Sequence, residues 1–273
     1  MSFSSIASML SAAQESGQPL YAVIRDADCQ ENGYDAAASY RQIAALWTAM
    51  QQSSRQYCAS DRSNSGLIGG DAARFRAAAE AGYGVELDIQ LSRDGQVVVF
   101  HDDTLDRVCG VHGRVDEFTF EELRGMRLCG TQETIPLLTE VFEVMGGRTP
   151  MIIELKTGRR NDELCEKGLA LMRAYNGPYC IESFDPRIVR WFRKKAKDVL
   201  RGQLSDAPAS FRDEPKPLAF ALGCLFTNVL ARPQFIAYGP GKKPWTARLA
   251  EAMGAIRVCW TVRPQDDINA KEA

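Results

Sequence analysis

Residues 85–90 read Val-Glu-Leu-Asp-Ile-Gln, so apolar and polar side chains alternate along this stretch. Because successive side chains of a β-strand point to opposite faces, Glu86 and Asp88 share one face and the apolar residues occupy the other. In a parallel barrel the outer face of each strand packs against helices and is apolar. The stretch therefore predicts a barrel strand whose two carboxylates point inward, near the mouth where such barrels have their active sites.

Helix-like and strand-like segments alternate along the chain after residue 72. Strands are predicted at 85–91, 96–100, 151–155, 179–183, 200–204, 235–238 and 257–262, and helices at 72–81, 120–127, 138–145, 163–174, 187–195, 220–230 and 247–253. This alternation predicts parallel βαβ units, and their number favours an α/β barrel over an open sheet. No Gly-x-Gly-x-x-Gly loop follows a strand, so dinucleotide binding has no support.

Residues 1–72 have a different pattern. Phe3, Ile6 and Leu10 recur at helical spacing, and a second helical run is predicted at 34–54. A glycine-rich turn at 66–71 follows. We therefore divide the chain into a small helical segment, 1–72, and a barrel domain, 73–273.

A second predicted strand also carries polar residues on one face, namely Glu154 and Lys156. Crowded carboxylates repel one another unless a cation or a shared proton intervenes, and a hard divalent ion is the natural partner. This makes Glu86, Asp88 and Glu154 candidate metal ligands, and Lys156 a candidate contact for a phosphate oxygen. The alternative is that the carboxylates only form ion pairs with Lys156 or with arginines at the barrel rim.

His101 ends an apolar strand and precedes Asp102 and Asp103. A histidine beside carboxylates at the end of a strand is well placed to transfer protons near neutral pH. The alternative is a structural histidine. His112 lies in a predicted loop, and we interpret it as incidental.

The composition of the chain limits the classes of partner that it can bind and the cellular compartment in which we expect it. The net charge of -2 gives no general attraction to nucleic acid or to an anionic membrane. The eight cysteines are scattered without a Cys-x-x-Cys pair, which predicts reduced thiols rather than a zinc site or a disulfide scaffold. No signal peptide or membrane-spanning stretch is recognisable, so we expect a cytoplasmic protein.

These motifs together resemble the glycerophosphodiester phosphodiesterase family. The resemblance runs over about residues 75–262 and rests on Glu-Leu-Asp at 86–88, His-Asp at 101–102 and Ile-Glu-Leu-Lys at 153–156. It implies a TIM barrel and a divalent metal ion, Ca²⁺ or Mg²⁺. It also implies roles for individual residues: metal ligation by Glu86, Asp88 and Glu154, general acid/base catalysis by His101, and phosphate binding by Lys156.

The sequence also departs from this family. The family begins with a strand carrying His-Arg-Gly, followed by Glu-Asn before the first helix, and neither pattern occurs in a matching context within residues 1–74. Residues 263–273 show no pattern of an eighth strand. We therefore predict an incomplete barrel without its first and eighth strands.

Residues 65–72, Ser-Gly-Leu-Ile-Gly-Gly-Asp-Ala, resemble the amino-terminal part of the alpha chain of iron–sulfur L-serine dehydratase. This resemblance predicts a fusion of two gene fragments that meet near residue 72. The cysteines that hold the cluster in that family lie in a region without a counterpart here. We carry over neither a cluster nor lyase activity.

The predicted function is metal-dependent hydrolysis of a small-molecule glycerophosphodiester to an alcohol and glycerol 3-phosphate, with lowered activity. One alternative is an inactive barrel fragment that at most binds phosphodiesters. Another is a fragment of an iron–sulfur L-serine ammonia-lyase.

Overall fold

A computed structural model describes residues 72–80, 84–212, 214–239, 243–253 and 255–259. Apart from Ala72, the predicted helical segment 1–72 and its resemblance to serine dehydratase therefore lie outside the described residues, as does the chain after residue 259. The described residues form two compact units that divide within one strand, between Ile181 and Glu182.

The first unit contains helices and three complete strands. In chain order these are α1 (Ala72–Glu80), β1 (Val85–Leu91), β2 (Val97–Val99), α2 (Asp106–Cys109), a 3-10 turn (Val115–Glu117), α3 (Phe120–Arg124), α4 (Leu138–Met145), β3 (Met151–Leu155), α5 (Asn161–Ala174) and the first part of β4 (Tyr179–Ser183). The strand order is β2-β1-β3-β4. Strands β1 and β3 are parallel, with Asp88 opposite Glu154.

Strand β2 differs from the predicted parallel pattern, because it pairs antiparallel with β1. The connection is a tight turn in which Gly95 N–H donates to the carbonyl of Ser92 at 3.0 Å. Gly95 has a φ of 77°, a left-handed conformation that glycine adopts without steric cost. A turn this short can only reverse the chain, since a parallel crossover needs about a dozen residues or more.

Helix α4 is held in this unit by burial of its apolar face. Leu138, Val141, Phe142 and Met145 recur at helical spacing and are all buried. The helix ends where Gly146 takes a left-handed φ of 56° and donates its N–H to the carbonyl of Phe142. A second apolar cluster, formed by residues between positions 98 and 135, fills the space under the loops that follow β2.

The second unit continues the alternation of helices and strands. It contains the end of β4, α6 (Pro186–Lys195), β5 (Arg201–Ser205), a 3-10 turn (Pro208–Ser210), α7 (Lys216–Gly223), α8 (Asn228–Ala231), β6 (Phe235–Tyr238), α9 (Trp245–Ala252) and β7 (Ile256–Cys259). The strand order is β4-β5-β6-β7, and β6 is parallel to both of its neighbours.

The single helix predicted at 220–230 is in fact two helices, α7 and α8. The break contains Leu225, whose φ of 58° is left-handed and rare for a residue with a side chain. Its side chain is 3% exposed and packs with Ile236, Tyr238 and Ala247. Packing of this side chain therefore outweighs the local preference to continue the helix.

Apart from β2, the strands stand in sequence order with helices between them, which is the pattern of a (β/α) barrel. The described residues contain seven strands, of which β2 is the antiparallel one, and none of them precedes β1. This is consistent with the predicted incomplete barrel. None of the described helices is long and apolar enough to cross a membrane.

Candidate functional site

Three carboxylates come together on neighbouring strands of the first unit. Oxygen atoms of Glu86, Asp88 and Glu154 all lie within 4.8 Å of one another. Glu86 and Asp88 lie on one face of β1 because they are two positions apart, and the parallel register sets Asp88 opposite Glu154. The grouping expected from the sequence is therefore present in the structure.

The three carboxylates differ in their access to solvent. Asp88 and Glu154 are 7% and 6% exposed, whereas Glu86 is exposed. The sequence predicted that the carboxylates of β1 would lie near its carboxyl end, but Glu86 is the second residue of that strand. The expected position is therefore wrong for Glu86, although its side chain still reaches the other two.

Lys156 follows β3 and is paired with two of these carboxylates. Its Nζ lies 2.9 Å from Asp88 Oδ1 and 3.1 Å from Glu154 Oε1. Its backbone N–H donates to the carbonyl of Ile89 at 3.1 Å, which ties the residue to β1. The ion pairs that formed the alternative interpretation of the sequence are thus present.

The crowding of negative charge changes the acidity of these groups. Burial raises the pKa of the Glu154 carboxyl group to about 7. The charge of Lys156 lowers this pKa, and the charge of Asp88 raises it. Desolvation and then the charges of Asp88 and Glu154 raise the pKa of Glu86 to about 8. Although the Glu86 residue is exposed, a carboxylate oxygen of its side chain lies within 4.8 Å of oxygens of Asp88 and Glu154, whose charges disfavour its ionisation. Burial lowers the pKa of Lys156, but the carboxylates raise it by more.

This donor set suits a hard divalent cation. All three groups offer carboxylate oxygen, which Ca²⁺ and Mg²⁺ prefer. With all three ionised, one ammonium group leaves two negative charges, and the raised pKa values of Glu86 and Glu154 reflect that excess. The residues present therefore fit the metal ion that the sequence predicts.

His101 stands at the end of a chain of polar contacts. Its Nδ1 lies 2.8 Å from Asp102 Oδ1, and Arg107 donates to both oxygens of Asp102 at 2.7 Å. The hydrogen bonds of Arg107, and then that of His101, keep the pKa of Asp102 below its usual value against an opposing effect of burial. The ring of His101 is exposed, and this pairing directs Nε2 away from Asp102.

Gln90 is a site residue that the sequence reasoning missed. It lies on the same face of β1 as Glu86 and Asp88, and its buried Nε2 donates to the carbonyls of Phe100 and Asp102 at 2.9 and 2.8 Å. These two carbonyls flank His101 along the chain. The alternation of 86, 88 and 90 was the available signal, but an uncharged side chain did not stand out.

Comparison with known proteins identifies the family of this chain. The model of the glycerophosphoryl diester phosphodiesterase family matches residues 72–273. A glycerophosphodiester phosphodiesterase of Caldanaerobacter subterraneus subsp. tengcongensis is 43% identical over 145 residues, covering 48% of this chain and 59% of that relative. The chain thus matches little more than half the length of this relative.

Solved structures show the same fold. A phosphodiesterase of Oleispira antarctica, in complex with the product sn-glycerol-3-phosphate, superposes with a TM-score of 0.59 at 22% identity, covering 70% of this chain and 78% of that one. A glycerophosphodiester phosphodiesterase of Agrobacterium tumefaciens has a TM-score of 0.54 at 20% identity, covering 74% and 83%. The fold is therefore of the TIM-barrel type. Since the family model covers most of the chain, this protein belongs to the glycerophosphoryl diester phosphodiesterase family.

Proposed function

We propose that this protein hydrolyses glycerophosphodiesters to an alcohol and glycerol 3-phosphate, using Glu86, Asp88, Glu154, Lys156 and His101. The observation that carries the proposal is the group of three carboxylate oxygens within 4.8 Å of one another, in contact with a lysine. Family membership supports the reaction class. The bound product of the Oleispira antarctica protein supports the substrate class.

In this proposal Glu86, Asp88 and Glu154 hold one Ca²⁺ or Mg²⁺ ion. When bound, the ion polarises the phosphoryl group and stabilises the negative charge that develops on its oxygens. The carboxylates fix where the phosphate binds, because Asp88 and Glu154 are buried on paired strands.

Lys156 holds a non-bridging oxygen of the phosphate. Its ammonium group has three N–H donors and lies 2.9 Å from Asp88 and 3.1 Å from Glu154. Two ion pairs leave at least one donor for the phosphate. The two carboxylates keep Lys156 charged, because they raise its pKa.

His101 donates a proton to the oxygen of the leaving alcohol. Asp102 accepts the hydrogen bond of Nδ1 in this role, so Nε2 carries the transferable proton. Arg107 keeps Asp102 in place and ionised. An exposed ring suits this task, since the substrate arrives from solvent.

The test is release of glycerol 3-phosphate from a glycerophosphodiester by the purified protein. We expect activity with Ca²⁺ or Mg²⁺ and its loss in EDTA or in Glu86→Ala. His101→Ala should lower kcat by about 10²–10⁴-fold. His112→Ala is the matched control, because His112 is an exposed histidine paired in the same way with Asp106, at 2.9 Å. Full activity in EDTA would contradict the proposal.

The ion pairs of Lys156 favour a second candidate function, binding of phosphodiesters without turnover. They neutralise part of the carboxylate charge without any metal ion. Under this alternative a diester binds the protein in EDTA and in Ca²⁺ alike, and glycerol 3-phosphate is never released.

We also propose that residues 1–72 and 73–273 have separate origins, with the first part akin to serine dehydratase, and that the protein works in the cytoplasm. The start of the family match at residue 72 supports the boundary. Recovery of the protein with membranes after cell fractionation would contradict the location.

A further inference from the structure

A cleft opens beside the carboxylate group in the first unit. It is shallow and open to solvent, with an accessible volume of about 30 Å³, which is room for one functional group rather than for a whole ligand. Gln90 and Lys156 form part of its wall, so the cleft adjoins the place where we position the scissile phosphate. Most of the remaining wall comes from residues 157–161, which follow β3, and from Arg114 and Asp116.

The lining of the cleft contains more cations than carboxylates. Four cations, Arg114, Lys156, Arg159 and Arg160, line the cleft, against the single carboxylate of Asp116. Three of these four cations are already paired, and Lys156 is held by Asp88 and Glu154. Arg114 Nε lies 3.3 Å from Asp116, and Arg160 Nη1 lies 3.3 Å from Glu163, just outside the lining. Arg159 is exposed and makes no ion pair with any residue that the structure describes.

The loop that carries Arg159 is fixed on both sides. Gly158 N–H donates to Asn161 Oδ1 at 2.7 Å, and Arg160 donates to the backbone carbonyl of Ser92. The anchored backbone fixes the position from which the exposed Arg159 side chain extends into solvent. Planar guanidinium groups also match phosphate and carboxylate oxygens in pairs.

A diester bound with its phosphate at Lys156 extends in two directions, toward its glycerol and toward its alcohol. Glycerol carries no charge for this wall to recognise. An alcohol with its own phosphate or carboxylate complements the wall, whereas the quaternary ammonium of choline meets repulsion. We propose that Arg159, on the wall of this cleft, binds a further anionic group on the alcohol moiety of the substrate, so that the site selects glycerophosphodiesters whose alcohol carries one. This proposal rests on the proposed function for the orientation of the substrate.

The first test measures binding without turnover. Isothermal titration calorimetry of the slow His101→Ala variant in Ca²⁺ compares glycerophosphoinositol 4-phosphate, whose alcohol is anionic, with glycerophosphocholine. We expect the anionic ligand to bind at least about tenfold more tightly, equivalent to about 1.4 kcal/mol. Arg159→Gln should reduce this ratio several-fold, and Arg159→Glu should reduce it further. Arg76→Gln, an exposed arginine on α1, is the matched control and should leave the ratio unchanged.

The inference is overturned if the two affinities are equal, if glycerophosphocholine binds more tightly, or if neither ligand binds. It is also overturned if Arg159→Glu leaves the ratio of the two affinities unchanged. Hydrolysis is then measured with both diesters in Ca²⁺. Preferential binding without release of glycerol 3-phosphate would refute the proposed function and leave the cleft assignment standing. Release of glycerol 3-phosphate from both diesters without a preference in binding would support the proposed function and refute the cleft assignment.

Discussion

Glu86, Asp88 and Glu154 bring three carboxylates into a space that one ammonium group only partly neutralises. The pKa of Glu86 is raised to about 8 and that of Glu154 to about 7, so both are partly protonated near neutral pH. A metal ion binds the ionised form. Protons therefore compete with the metal ion across the range from pH 8 down to pH 6.

We accordingly predict that Ca²⁺ affinity falls as the pH is lowered from 8.5 to 6. Lowering the pH protonates Glu154 and Glu86 because their pKa values, about 7 and about 8, lie within this interval. Lys156 stays charged throughout, since its pKa is raised. Calorimetric titration at several pH values measures the effect, together with the protons released on binding. An affinity that is constant between pH 6 and 8.5 would show that the carboxylates are already ionised.

Gln90 provides a second test at this scale. Its two hydrogen bonds hold the carbonyls on either side of His101, so Gln90→Leu frees this segment and leaves two acceptors without their buried donor. We expect kcat to fall about tenfold or more through misplacement of His101, with KM and Ca²⁺ affinity nearly unchanged. Gln96→Leu, at an exposed position of the same hairpin, is the control. Equal losses of kcat and of metal affinity would mean that Gln90 only supports the fold.

The metal candidates could be predicted from the sequence because a strand has a period of two, which sets Glu86 and Asp88 on one face whatever the rest of the fold does. The role of Gln90 could not be predicted from the sequence. It depends on the hairpin that returns residues 100–102 to the side of β1, and the sequence predicted a turn there without its hydrogen bonds.

The strands were the most predictable elements. Strands β1, β3, β4 and β6 have the predicted bounds, because short apolar runs between turn residues are a local signal. Helix ends shifted by one to three residues. The break between α7 and α8 was missed, since it follows from burial of Leu225 against β6 and α9, contacts that are distant in sequence.

Leu225 yields a prediction at the element scale. With its φ of 58°, alanine at this position keeps the backbone strain, whereas glycine relieves it, and both remove the same buried contacts. We expect Leu225→Gly to be more stable than Leu225→Ala by about 0.5–1 kcal/mol in urea denaturation. At Leu169, inside α5, the order of the two variants should be reversed. The same order at both positions would show that the left-handed conformation of Leu225 is not maintained in solution.

At the scale of the whole molecule, the proposed boundary near residue 72 is testable by limited proteolysis. Residues 59–65 are polar and residues 66–70 contain three glycines, a composition typical of connecting segments. We expect trypsin to cut at Arg62 and to leave a resistant carboxy-terminal fragment, identified by mass spectrometry. Degradation of the carboxy-terminal part before the amino-terminal part would contradict separate domains.

The number of histidines sets an expectation for the rate of the proposed hydrolysis. The chain has two histidines, and His112 is an exposed residue paired with Asp106. The resemblance to the family implies a second acid/base histidine, in a His-Arg-Gly motif on the first strand, and residues 1–71 contain no histidine at all. Under the proposed mechanism His101 can protonate the leaving alcohol, but no second histidine is placed to activate the attacking group.

We therefore predict that this protein hydrolyses glycerophosphodiesters about 10²–10⁴-fold more slowly than the Caldanaerobacter relative under the same conditions, the usual contribution of one proton-transfer group. Lys156, and an ion that the carboxylates would hold, do not depend on the missing histidine for binding the phosphate, so the defect should appear in kcat rather than in KM. Added imidazole can supply the missing proton acceptor, and it should raise the rate of this protein but not that of the relative. A rate within about tenfold of the relative, abolished by His101→Ala and insensitive to imidazole, would show that another group of this chain activates the attacking water.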